Sequence, residues 1–281
     1  MCVWAHLHVV VKGGIFIALY YLKLTPLSRN RGTSGLMKSA YINGKKLTNE
    51  RDGTTHDFTH KKDISYRNLM LPENAPPEFS DNQRLWNAVE RAENRKDSRT
   101  AKEIILALQR EFLLETSIGS VKEFVTNCIL PLGICADIAI HAGHSKNERD
   151  SDTNVDKADL HNPHCHILLT DRPLNQNGFC PLKNPEWNSK NLLRKWREEW
   201  ANIQNRTFER KGLEARVSHK SYKELGIDHK PTIPLGPKFS EMERRGIKTA
   251  FGNANRDIGV RNKEIQRQIE VEIDRTSDRS R

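Results

Sequence analysis

The stretch H161-N-P-H-C-H-I-L-L-T170 places three histidines within six residues, directly ahead of an aliphatic run. From Pro163 onward it reads as a strand. Side chains alternate along a strand, so His164 and His166 share one face while Cys165, Ile167 and Leu169 share the other, which is expected to be core. Two imidazoles on one sheet face can hold a metal ion if a third ligand arrives from elsewhere. The earlier run I134-C-A-D-I-A-I-H141 also reads as a strand and ends in a histidine. If the two strands are antiparallel neighbours, His141 arrives beside His164 and His166. The result is a three-nitrogen site with open coordination positions, as catalytic metals require. Spacing alone leaves a second reading open, in which the trio is polar decoration on a solvated sheet face. His161, before Asn162-Pro163, reads as a loop residue, and Cys165 faces away from the imidazoles, so the pattern is not that of a zinc finger.

The 281 residues around this stretch carry 46 Lys and Arg against 36 acids, a net charge of +10 and an isoelectric point near 9.4. A basic balance favours an anionic partner, nucleic acid above all, although simple solubility gives the same number. With 36% hydrophobic and 29% charged residues the chain is polar but able to bury a core. Its five cysteines (Cys2, Cys128, Cys135, Cys165, Cys180) form no CxxC pair and are odd in number. A disulfide framework is therefore not expected, and the reducing cytosol is the expected compartment. The apolar segment from Val9 to Leu22 is interrupted by Lys12, Gly13 and Gly14, too broken for a membrane span or a signal peptide.

Local patterns give the order of elements. A first strand is expected from Ile17 to Pro26, then a Ser/Gly/Arg loop and a helix over 33–47 with Leu36, Ala40 and Tyr41 at helical spacing. Residues 48–66 suggest a hairpin around Asp52-Gly53 with His56 and His60 exposed. Ser80 and Gln83 resemble a capping box opening a helix. Residues 102–109 suggest a strand, 116–130 a helix, 142–162 a long polar loop, and 188–211 a helix ended by Gly212. A shorter stretch of helix and strand is expected to about residue 246, then a charged helical tail. This order predicts an α+β fold, an antiparallel central sheet with helices packed on one face and a C-terminal helical tail.

The motifs together resemble one family. I138-A-I-H-A-G143 with N162-P-H-C-H-I-L-L-T170, L22-K-L-T-P-L-S-R29 with S39-A-Y-I-N-G-K-K-L-T48, L71-P-E-N-A-P76, R84-L-W-N-A-V-E-R-A-E93, W196-R-E-E-W-A201 and M242-E-R-R-G-I247 occur in the order found in MobA/MobL plasmid mobilisation relaxases. The resemblance spans about residues 17–250 and implies the HUH endonuclease fold, a DNA-nicking domain over 17–250, a tail over 251–281 and a dispensable extension over 1–16. It implies that His141, His164 and His166 hold a divalent ion, Mg2+ or Mn2+, and that Tyr41 is the nucleophile. Without the match, Tyr41 reads as a core aromatic and Tyr20, Tyr21, Tyr66 and Tyr222 compete with it. Glu103 and Glu111 match acids in the family and are candidates to orient a ligand histidine or assist proton transfer, against the plain reading of exposed acids at a helix or strand edge. Arg29, Arg31 and Ser34 lie close in sequence to Tyr41 and are candidates for phosphate contacts, against the plain reading of a solvated loop. The chain departs from the family pattern at Ile105, Gln109 and Pro234. The implied activity is metal-dependent, strand-specific nicking and joining at a plasmid transfer origin, with single-stranded origin DNA and accessory relaxosome proteins as partners. The alternatives are a DNA-binding regulator without turnover and a rolling-circle replication initiator.

Overall fold

The computed structural model describes residues 9–11, 15–142 and 163–278. His161, Cys2, Lys12 with its two glycines, and the expected polar loop from residue 143 to 162 lie outside the described residues. Along the chain the elements are β1 (Val9–Val11), β2 (Ile15–Ile17), β3 (Leu22–Ser28), α1 (Gly35–Asn43), β4 (Lys46–Thr48), β5 (Thr55–Asp57), β6 (Ile64–Met70) and α2 (Asn82–Ala92). They continue with β7 (Arg99–Ala107), α3 (Leu114–Cys128), β8 (Ala136–His141), β9 (His164–Thr170), β10 (Leu174–Asn175), β11 (Gly178–Phe179), α4 (Lys190–Arg210), α5 (Gly236–Arg244) and α6 (Ala250–Asp278). They fall into two units, Tyr21–Ile203 and the combination of Met1–Tyr20 with Gln204–Arg281.

The first unit is built on a five-stranded antiparallel sheet in the order β3-β7-β9-β8-β6. Its register opposes His141 to His164, Ala139 to His166 and Asp137 to Leu168. On the other side of β9, Ala107 opposes His164, Ile105 opposes His166 and Glu103 opposes Leu168. Directly opposed residues point to the same face, so the three histidines, Glu103 and Asp137 share one face of the sheet. The other face carries Ile104, Leu106, Ile138, Ile140, Cys165 and Ile167, all at most 1% exposed. Both faces of the central strands are therefore covered, and the alternation within His164–Thr170 places Cys165 in the core as expected.

On the histidine face, α1 and α2 supply the apolar layer. Leu36, Ala40 and Ile42 of α1 pack with Leu85, Trp86 and Val89 of α2 over Ala101, Ala139 and Leu168. Each large aliphatic or aromatic side chain buried there stabilises the layer by about 1.5–3 kcal/mol. The approach is close: a Cβ on Gly35 would lie 2.6 Å from the Trp86 ring, so only glycine fits. The helix is capped at both ends. Ser34 Oγ accepts from Met37 N, and Gly44 adopts φ 56, the left-handed conformation that ends the helix.

Several boundaries differ from the sequence reading. The first strand of the sheet starts at Leu22 and runs through Pro26 to Ser28; Pro26 is tolerated because β3 is an edge strand, where a missing N–H can face outward. The cap of α2 is Asp81, whose carboxylate accepts from Arg84 N, while Ser80 closes a 3-10 turn. The expected hairpin after α1 is present as β4 paired with β5.

In the second unit, β1 and β2 form an antiparallel ribbon, β1 touches α6, and Ala18 N donates to Arg216 O at 2.6 Å. The helix expected to close near Gly212 ends at Arg210, with Gly212 at φ 67. Between it and α6 the described residues form α5 and no strand. No helix of the described residues is long and apolar enough to cross a membrane.

Candidate active site

Alternation on β9 and antiparallel pairing with β8 bring the three imidazoles together. Their ring centroids lie 4.8–5.3 Å apart, and one nitrogen from each can be chosen so that all lie within 4.8 Å of one another. His141 and His166 are 2% and 7% exposed, whereas His164 is half-buried. The cluster is thus seated in the sheet with one side towards solvent.

Each buried imidazole has one nitrogen committed and one left to coordinate. Glu103 stands opposite Leu168, one diagonal step from His166, and its Oε1 lies 2.5 Å from His166 Nδ1, leaving Nε2 as the ligand atom. His141 Nε2 donates to the carbonyl of Ile42 at 2.8 Å, leaving Nδ1 as the ligand atom with Asp63 Oδ2 3.6 Å away. Burial, opposed by the Ile42 hydrogen bond and reinforced by His166 and His164, pushes His141 down to about 4. It is therefore uncharged at neutral pH, as a metal ligand must be. Burial would raise Glu103, but its bonds to His166 and Lys38 more than offset this and hold it below the ordinary glutamate value. Three imidazoles, two of them fixed by a carboxylate or a carbonyl, are a donor set that fits a divalent cation.

Tyr41 lies on α1, which packs directly over these strands. It is not the core aromatic that sequence spacing alone suggests: it is 40% exposed, with its ring edge-on to Phe58 at 5.3 Å. The C-terminal carbonyls of α1 find partners beyond the helix. Ile42 O receives His141, Asn43 O receives Arg67 Nε at 2.5 Å, and Ala40 O receives Lys45 N at 2.9 Å. The residue after Tyr41 is therefore hydrogen-bonded to a histidine of the cluster.

Deeper on the same face, Asp137 binds α1 and α2 to β8. Its carboxylate accepts from Ser39 Oγ at 2.6 Å, Asn43 Nδ2 at 3.0 Å, Asn82 Nδ2 at 2.8 Å and Trp86 Nε1 at 3.0 Å. Burial raises its pKa, and the bonds from Ser39, Asn43 and Trp86 and the charge of Lys45 act against that rise. Sequence reasoning missed Asp137, Asp63, Lys38 and Lys61. Asp137 reads as one polar residue within an apolar strand, and Lys61-Lys62-Asp63 reads as a charged loop.

The remaining expected residues divide. Arg29 does not offer itself to a phosphate: its guanidinium binds the buried Glu90 carboxylate at 2.5 Å and the backbone carbonyls of Glu90, Glu93 and Arg95. Ser34 is spent as the helix cap. Arg31 is exposed and lines an open cavity of about 640 Å³ together with Arg95, Arg99, Arg172 and Lys183, which shares no lining residue with the histidine cluster. Glu111 lies on an exposed turn beyond the end of β7, whereas Glu103 pairs with His166.

The sequence is 29% identical over 247 residues to mobilization protein MobL of Acidithiobacillus ferridurans, covering 82% of this chain and 65% of that protein. It is 28% identical to the probable mobilization protein MobA of Bifidobacterium longum, covering 94% of this chain and 51% of the relative. The chain thus spans between half and two thirds of the length of these relatives. A solved structure described as the molecular basis of vancomycin resistance transfer in Staphylococcus aureus superposes with a TM-score of 0.63 at 32% identity, over 73% of this chain and all of that one. The MobA/MobL family profile matches residues 33–245, and the chain belongs to the MobA/MobL family.

Proposed function

We propose that this chain is a relaxase: a metal-dependent enzyme that nicks and rejoins one DNA strand at a plasmid transfer origin, through a covalent bond to Tyr41. The observation that carries the proposal is the hydrogen bond from His141 to Ile42 O, which ties the tyrosine helix to the three-histidine cluster. In this reading the phenolic oxygen of Tyr41 attacks the scissile phosphorus and the bond from phosphorus to the 3′ oxygen breaks. The phenol loses its proton to solvent, the departing 3′ oxygen gains one, and a 5′-phosphotyrosyl ester remains. The ester conserves the bond, so the same steps in reverse reseal the strand. A divalent ion, Mg2+ or Mn2+, held by His141, His164 and His166 would offset charge on the phosphate oxygens. Glu103 orients His166, and the exposed Arg31 supplies phosphate contacts away from the reacting centre. The nicking domain is placed at residues 17–250, and the partners are single-stranded origin DNA and accessory relaxosome proteins in the bacterial cytoplasm.

A random substrate pool tests this whatever the nick-site sequence. Protein with Mn2+ is incubated with a random single-stranded DNA library, and covalent adducts are recovered under denaturing conditions and sequenced. Wild type is expected to yield adducts sharing one sequence, and Tyr41→Phe none, while still binding the recovered oligonucleotide. Calorimetry on His164→Ala should show Mn2+ affinity lowered by about tenfold or more. Adduct formation by Tyr41→Phe at the wild-type rate would refute the mechanism.

A further inference from the structure

Two lysines that no motif singles out converge on the ring of Tyr41. Lys38 Nζ lies 5.1 Å from the ring centroid and Lys61 Nζ 4.3 Å from it. Neither is a free surface cation. Lys38 is paired with Glu103 Oε1 at 2.9 Å, the same oxygen that contacts His166. Lys61 is paired with Asp63 Oδ1 at 3.2 Å, and the other oxygen of that carboxylate faces His141. Two chains of the same type therefore run from a histidine through a carboxylate and a lysine to one aromatic ring. Their lysine side chains are only 21% and 12% exposed and the two carboxylates 6% and 13%, so water screens these charges weakly.

The two lysines reach the ring from different parts of the chain. Lys38 is three residues before Tyr41 on α1, one helical turn away. Lys61 comes from the segment between β5 and β6, which also supplies Phe58 against the ring edge. That segment is fastened at both ends, by Phe58 N to Lys45 O at 3.2 Å and by Ala142 N to Asp63 O at 3.1 Å, the latter beside His141.

We propose that Lys38 and Lys61 are positioning residues for Tyr41, holding its ring between two ammonium groups and setting positive charge where the attacking oxygen and the phosphate become negative. The proposal rests on the reading of Tyr41 as nucleophile. A cation over an aromatic face orients the ring, and a pre-placed charge favours the transition state over the bound ground state. The carboxylates link both effects to the histidines: Glu103 and Asp63 each hold a lysine on one side and face an imidazole on the other. Ring and ion site are thereby kept in register by side chains as well as by the α1 backbone. A purely structural ion pair would need neither lysine to end on the ring.

Two measurements test this. In the first, metal-free protein is labelled with 3-fluorotyrosine, and the 19F resonance of Tyr41 is assigned with Tyr41→Phe. Lys61→Met and Lys38→Met should each move that resonance, and Lys61→Arg should return it towards the wild-type position. A resonance unmoved by both Met variants overturns the proposal. In the second, single-turnover adduct formation is followed on the oligonucleotide recovered from the random library. Each Met variant should slow the reaction by about tenfold or more while oligonucleotide affinity changes by less than about threefold, and Lys61→Arg should recover most of the rate. Rates within about twofold of wild type, or losses in rate matched by equal losses in affinity, overturn it. If wild type itself forms no adduct, the relaxase reading fails and this proposal with it. If wild type reacts and the lysine variants are unimpaired, only this proposal fails.

Discussion

Asp137 and His141 share one face of β8, near opposite ends of the strand, and both are almost completely buried. Around Asp137 every approach is filled: four donors from α1 and α2 converge on one carboxylate, and Leu85, Trp86 and Leu36 seal the layer above it. Around His141 the side chains are equally polar but incompletely committed, each buried imidazole keeping one nitrogen for coordination. A saturated buried polar group fixes geometry, whereas an unsaturated one invites a ligand. The same strand thus anchors the tyrosine helix at one end and presents chemistry at the other.

Four substitutions and a change of pH can break this contrast. The largest effect is expected from Asp137→Ala, which strands the donors of Ser39, Asn43, Asn82 and Trp86 in an apolar layer. Chemical denaturation should show a loss of about 3 kcal/mol or more, and a loss below about 1 kcal/mol would show that α1 is held by apolar packing alone. Next comes Arg29→Ala, at the same end of the sheet, which leaves the Glu90 carboxylate buried without its cation. It should cost about 2 kcal/mol, whereas Arg31→Ala should leave stability within about 0.5 kcal/mol and weaken single-strand binding at low salt. The smallest effect concerns the unsaturated end. In the unfolded chain His141 takes up a proton below about 6.5, but in the folded protein only near 4. Between these values the unfolded state binds more protons, so the metal-free protein should lose stability as pH falls through this window, by on the order of 1 kcal/mol per pH unit. Melting temperatures recorded from about pH 7 to 4.5 should show a shallower decline in His141→Asn; identical slopes would remove His141 as the cause.

The two ends also differ in how far they can be read from sequence. The histidine end is legible because its geometry is periodic: His164 and His166 alternate along a strand, and His141 ends another, so one assumption of antiparallel pairing assembles the trio. Tyr41 is singled out only by the family resemblance, since the helical spacing that places it beside Ala40 suggests a core residue. Asp137 is illegible because its partners lie between 51 and 98 residues away, and nothing local distinguishes an acid met by four donors from one facing water. The same holds for Asp63 and Lys61, a charged loop whose meaning comes from β6 pairing with β8. Arg29 shows the opposite error: an arginine near the tyrosine reads as a phosphate ligand until the buried Glu90 is seen beneath it.

The hydrogen bond between Ile42 and His141 joins residues 99 positions apart in the chain, and this separation sets a schedule during synthesis. At about 5–20 residues per second, a ribosome emits Tyr41 roughly 5–20 s before His141, and His164 and His166 later still. Throughout that interval the tyrosine has neither its histidine-bound helix end nor the cluster beneath it. Under the proposed mechanism, an unfinished or broken chain therefore carries Tyr41 in an unarmed form, and an ability to cut DNA would arrive only with the closing of the sheet.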